Sequence, residues 1–350
     1  MGRGGAAVLV AITAIFAIAW LWRSSAGGDV SDEAMHKSMQ TSKMAPPPSV
    51  VLAINASNVS PSVPVAATAN VSAIAREFAT AKGLKPLYDR LAAQGAAATP
   101  DAKYYLYRIL WKCATRTDQS GDGRLKSVAD QRTRLETQIP AASRDRAKRL
   151  AMFDELMVQR CDGMEKVATT QADLDKLLAD AAAAGDPKAA ALIAAKDLNM
   201  PHGDVSISDT QLRTYQQAVA SRDPEAIYIA GAALSTTYRD EVTEIGPNHE
   251  EIRGRAAYEA WQLVACEYGL ECGANSASLQ RACVFNGQCA AASVQDQVYF
   301  YDVTPYEAQL VEQYRQIFRN AAGNNDWSGI AFARRPNTAG SRYIFGPTPP

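Results

Sequence analysis

From Ser72 onward, apolar and polar positions alternate with the period of amphipathic helices, and that period organises the reading of the chain. SAIAREFATAK starts on Ser72, a natural N-cap, and stops at Gly83; LKPLYDRLAAQG follows and ends at Gly95. TPDAKYYLYRILWKCATR has Pro100 in its first turn and carries Tyr104, Leu106, Tyr107, Leu110 and Trp111 at helical spacing. That stripe reads as packed core rather than as an aromatic ligand cage. RLKSVADQRTRLETQIP and SRDRAKRLAMFDELMVQRC continue the pattern, the second with Leu150, Phe153, Leu156 and Met157 on one face. EEIRGRAAYEAWQLVACEYGL has Ala257, Trp261, Val264 and Ala265 as its buried stripe, and a last strong helix begins at Thr304 and Pro305 and ends near Gly323. Trp327 and Phe332 are expected to tuck back under it. The expected body is all-α over residues 72–333, with a loose tail over 334–350.

Within this body the chain repeats itself. LDKLLADAAAAGDPKAAALIAAKDL and LRTYQQAVASRDPEAIYIAGAAL align on Asp186-Pro187 and Asp223-Pro224, a period of 37 residues. Each copy reads as a helix, a tight turn with Asp as N-cap and Pro at the first helical position, then an alanine-rich helix. Such a hairpin buries its apolar face only by stacking on a neighbour. AAATPDAKYYLYRIL echoes the pattern earlier, at irregular spacing, with Thr99-Pro100 in place of Asp-Pro. The phrase AAAAGDPKAAALIA resembles the turn of Sel1-like and tetratricopeptide repeats over about 60 residues. The resemblance implies a solenoid of stacked αα-hairpins that binds proteins or peptides and performs no chemistry of its own. The tyrosine and glycine positions of the full consensus are missing from the first copy.

Residues 6–22, AAVLVAITAIFAIAWLW, carry no charge and span ~25 Å as a helix, at the short edge of what crosses a bilayer. Arg3 and the amino terminus precede the run while Asp29, Asp32 and Glu33 follow, which places the body on the exported side. Ser24 and Ala26 offer small residues for a signal peptidase. The length of the run and bulky Trp20 and Trp22 favour an uncleaved anchor over residues 1–23. Residues 24–71, with APPPSVV and SPSVPVAA, read as a disordered Ser-, Pro- and Ala-rich tether. The expected location is a bacterial inner membrane, single-pass, with the body in the periplasm. With 36 Lys and Arg against 37 Asp and Glu in 350 residues, no basic field marks a nucleic-acid partner.

Six cysteines fit that compartment. Cys113 and Cys161 each end a helix, which points to one clamp between helix ends. Cys266, Cys272, Cys283 and Cys289 fall on what reads as two antiparallel helices joined by a short loop, for which nested and crossed pairings both remain open. Adjacent pairing, Cys266 with Cys272 and Cys283 with Cys289, is the least expected, because it leaves the two helices unlinked. The stretch ACEYGLECG followed by LQRACVFNGQC resembles exported proteobacterial proteins of no established function.

Candidate chemistry is sparse. Asp118, Ser120 and Asp122 occupy positions 1, 3 and 5 of a calcium loop whose twelfth position, Ala129, supplies no carboxylate, leaving a weak calcium candidate. His202 with Asp204, and His249 with Glu250 and Glu251, lack zinc-ligand spacing and read as surface residues. Neither a nucleophile elbow nor a cysteine and histidine pair is visible, and no cofactor is expected. The expected function is a membrane-tethered interaction scaffold for another envelope protein or peptide; the alternative is an envelope hydrolase whose acidic pair meets only in space.

Overall fold

The computed structural model describes residues 71–116, 124–196, 207–236 and 241–334. The apolar run 6–22, the tether 24–70, the calcium candidates Asp118, Ser120 and Asp122, His202 with Asp204, and the tail beyond Arg334 lie outside the described residues. No helix among the described residues is long and apolar enough to cross a membrane.

The body is mostly helical, and its helices start where capping residues stand. Helices α1 (Ala73–Thr80), α2 (Lys85–Ala92) and α3 (Pro100–Cys113) come first. Ser72 Oγ accepts from the Ala75 amide at 2.9 Å and Thr99 Oγ1 from the Ala102 amide at 3.2 Å, satisfying donors that a helix start leaves open. Helices α4 (Arg124–Gln138) and α5 (Arg146–Met157) precede α6 (Gln171–Ala183) and α7 (Pro187–Lys196), then α8 (Asp209–Ala220) and α9 (Pro224–Leu234). Thr170 with Asp173 and Ser208 with Gln211 form capping boxes at α6 and α8. The two aligned copies are therefore the hairpins α6–α7 and α8–α9. In space α3 packs on α6, α7 packs on both α8 and α9, and α9 packs on α10 (Gly254–Glu267). Helix α10 in turn lies along α13 (Pro305–Asn324).

The irregular spacing of the first copy has a structural explanation. Pro100 precedes Pro187 by 87 residues and Pro187 precedes Pro224 by 37, so 50 residues are extra. They form an excursion whose ends are brought together. Strand β1 (Thr115–Arg116) leaves α3 and pairs in parallel with β2 (Ala168–Thr169), which enters α6. Cys113 bonds to Cys161 beside that pair, as expected. Closing this loop contributes roughly 4 kcal/mol in the chain-entropy model.

A second excursion, between α10 and α13, carries α11 (Ala277–Asn286) and α12 (Val294–Gln297). The expected antiparallel pairing of α11 with α10 is not what forms, because α11 packs on α5 of the first excursion. Val128, Leu135, Ile139, Phe153, Leu156 and Val284 make a second core there. Arg149 Nε donates to the Val284 carbonyl at 2.9 Å, and Phe153 meets Phe285 edge to face.

This explains a correction: the four clustered cysteines pair adjacently, Cys266 with Cys272 and Cys283 with Cys289. Gly269 (φ 104°) and Gly287 (φ 72°) take left-handed conformations just past α10 and α11 and turn the chain back on itself. The returning cysteines arrive with Cα separations of 5.7 and 4.2 Å from those in the last turns. The bridges thus lock two helix C-termini, and the staple between helices that the sequence suggested has no hairpin to hold.

The all-α expectation is also corrected. Besides the β1–β2 pair, β3 (Glu241–Ile245) lies between β4 (Glu250–Glu251) and β5 (Ile330–Arg334) in an antiparallel sheet. Thr243 faces Phe332 and Ile245 faces Ile330 in register, a period-two alternation too short to stand out beside the helical pattern. Phe332 and Trp327 do pack against the main core, Phe332 from a strand.

That core depends on one close approach. Gly231 on α9 lies so near Trp261 on α10 that an added Cβ would stand 2.4 Å from the Trp261 Cβ. The indole then stacks on Phe318 of α13 with 4.0 Å between ring centres. Alanine is the better helix former by about 1 kcal/mol, yet Gly231→Ala is expected to cost a net ~2 kcal/mol because neither backbone can withdraw. Urea unfolding checks this; an unchanged or raised midpoint would contradict the packing.

Candidate interaction surface

The residue after each of the three aligned prolines is charged: Asp101 in α3, Lys188 in α7, Glu225 in α9. The stack brings all three to one place. Lys188 is 3% exposed, and its Nζ lies 3.0 Å from Asp101 Oδ1, 3.2 Å from Asp186 Oδ2 and 3.0 Å from Asp223 Oδ2. It also stands over the rings of Tyr104 and Tyr105, 5.1 and 5.6 Å from their centres. Glu225 accepts from the Tyr104 and Tyr105 hydroxyls at 3.0 and 2.8 Å and pairs with Arg108. Asp186 and Asp223 serve twice, since Asp186 Oδ1 accepts from the Ala189 amide and Asp223 Oδ1 from the Glu225 and Ala226 amides.

An ammonium at a helix start opposes the helix dipole, so carboxylates must hold it there. Burial alone would depress the Lys188 pKa, but Asp223, Asp186 and Asp101 outweigh it and raise the pKa above the ordinary lysine value. The stabilisation is therefore fully present below the ordinary lysine pKa and is lost only as pH rises through the higher folded value. Chemically, the cluster commits its carboxylates to a lysine and to helix starts, and its work is to join α3, α7 and α9.

A different place on the fold faces outward. Between α12 and α13 the chain makes one π-helical turn, Val298–Asp302. Val298 and Asp302 point inward and are buried. Gln288 Nε2 and Gln297 Nε2 donate to the two Asp302 carboxylate oxygens at 3.1 and 2.8 Å, and Arg255 Nη1 donates to the Asp302 carbonyl at 3.0 Å. With its inner side pinned, the turn projects Phe300 and Tyr301, 76% and 44% exposed. Tyr306, in the first turn of α13, is 62% exposed. Thr304 fixes that turn through a capping box with Glu307. Phe300, Tyr301 and Tyr306 thus make an aromatic ridge along the chain, three exposed rings within seven residues, and exposed apolar surface of this kind marks contact surfaces.

Of the residues singled out in the sequence, all six cysteines are paired with one another. His249 is exposed and its Nδ1 lies 3.1 Å from Glu244 Oε2 across the β3–β4 turn. Among the described residues no group of three or more His, Cys, Asp or Glu is arranged to hold a metal. The Lys188 cluster escaped the sequence reading, although the charge after each aligned proline was its signal. The ridge escaped it too; the run Tyr299-Phe300-Tyr301 was the clue, since three consecutive residues cannot all face a core from one helical turn. Comparison with known proteins gives no match to a family model, to a curated protein or to a solved structure.

Lys188→Met strands three carboxylates and is expected to cost about 3 to 5 kcal/mol near pH 7. Part of that loss should return near pH ~4, because burial already raises the Asp186 pKa and its carboxyl, once stranded, takes up a proton. Urea titrations at the two pH values measure it; equal losses at both would contradict the assignment.

Proposed function

We propose that this chain is an interaction scaffold of the bacterial cell envelope. Residues 6–22 hold it to the inner membrane, and a body of stacked hairpins of the Sel1-like or tetratricopeptide kind offers a contact surface to another envelope protein or peptide in the periplasm. The observation that carries the reading is the ridge of Phe300, Tyr301 and Tyr306, rings held in water by a turn fastened from within and by the capped first turn of α13. Leaving such surface exposed is unfavourable for an isolated protein and becomes favourable when a partner covers it. Pairing of all six cysteines supports an oxidising compartment, and side-by-side packing of α6–α7 with α8–α9 supports the repeat reading.

Photo-crosslinking in cells tests it. A benzoylphenylalanine at Phe300 is expected to capture one reproducible envelope protein, with the adduct lost when Tyr301 and Tyr306 are changed to Ser. The same group at Lys176, exposed on α6, should not capture it. Identical adducts from both positions, or none from Phe300, would refute the proposal.

A further inference from the structure

The charges around the ridge say what kind of partner fits it. From residue 282 to residue 314 the chain has no Lys, Arg or His, while Asp296, Asp302, Glu307 and Glu312 all fall within it. The ridge sits inside this stretch. Glu307 lies one residue beyond Tyr306 and receives hydrogen bonds from the Thr304 amide and hydroxyl, which fixes its charge at the start of α13. Glu312, exposed, accepts from the Tyr299 hydroxyl, and Asp296 accepts from the Ala292 amide at 3.1 Å. Cations reach this stretch from other elements and from further along α13: Lys148 Nζ and Arg149 Nε donate to the Cys289 and Val284 carbonyls at 2.9 Å each, ahead of the ridge, and Arg255 and Arg315 reach the part that carries it. Arg255 spends a nitrogen on the Asp302 carbonyl, and Arg315 divides itself between Glu267 and Glu312. From Ser293 to Tyr314 the chain is thus aromatic, holds four acidic residues and no base of its own, and leaves Gln295, Gln309 and Gln313 exposed.

Resting on the reading of the ridge as a contact surface, we propose that its partner is a basic peptide segment in which arginine or lysine alternates with apolar residues. The guanidinium or ammonium group lies over the faces of Phe300, Tyr301 and Tyr306, where the ring quadrupole attracts it and a planar guanidinium also stacks. The acidic groups at the margin steer the segment in and fix its register, and the apolar residues cover the ring edges. An acidic or neutral segment of the same shape lacks the first two contributions and meets the negative margin unfavourably. Phosphates and anionic lipid surfaces are excluded by the same sign of charge.

Three twelve-residue peptides test this, with leucine alternating with arginine, glutamine or glutamate, each labelled and titrated with the full chain by fluorescence anisotropy. The arginine peptide is expected to bind at least tenfold more tightly than the glutamine peptide, and the glutamate peptide not at all. Phe300→Ser with Tyr306→Ser should remove at least tenfold of the arginine peptide's affinity, and raising salt from about 0.1 to 0.5 M should weaken it further as screening increases. Equal binding of the arginine and glutamine peptides, if still lost in the double variant, would overturn the basic partner while leaving the ridge a contact surface. Arginine-peptide binding that ignores the double variant would overturn the assignment to the ridge. No binding, alongside a Phe300 adduct in cells, would overturn the basic partner alone.

Discussion

Lys188 is a buried cation placed at the positive end of a helix, an arrangement that stands only because three aspartates surround it. Two of those aspartates cap α7 and α9, and the third belongs to the first turn of α3. One ammonium group therefore sets the mutual positions of three helix starts that lie far apart in sequence. The neighbouring Glu225, Tyr104, Tyr105 and Arg108 extend the same network, so the hydroxyls that burial brings inside have partners. Away from this end, the stack is held by apolar contact, tightest where Gly231 admits Trp261.

With the stack fixed, the two excursions become intelligible. The first leaves α3 and returns to α6 through a two-residue parallel pair and the Cys113–Cys161 bond, so that α3 still meets α6 directly. The second leaves α10, reaches across to pack α11 on α5, and returns to start α13. The excursions thus support one another around a core of their own. Local bridges at the ends of α10 and α11 keep the chain reversals that aim the second excursion. The π-helical turn at the end of that excursion is where the aromatic ridge emerges.

Much of this was legible in the sequence. Ser72, Thr99, Asp223 and Thr304 announced their helices, because a capping side chain acts locally, as does the proline that follows the last three. The repeat of Asp186-Pro187 and Asp223-Pro224 announced two hairpins for the same reason. What was hidden depends on contacts distant in the chain. Bridges between α10 and α11, nested or crossed, were expected only while the two helices were taken as partners, and the packing of α11 on α5 could not be read from either helix. Strands β3 and β5 are five residues each and pair across more than eighty positions, so their alternation carried little weight beside long helices. Lys188 carried no signal of its own in the sequence, because its three counter-ions come from three different turns.

If the Lys188 cluster is what unites the stack, then α3, α7 and α9 must open together. Native-state hydrogen exchange reads this directly, through the slowest amides around Ile109, Leu192 and Ile227, followed as urea is raised toward the unfolding range. The account predicts that the three groups converge on a single opening free energy and share one urea dependence. Amides of α3 that exchange through a separate opening of lower free energy, while α7 and α9 stay protected, would contradict it.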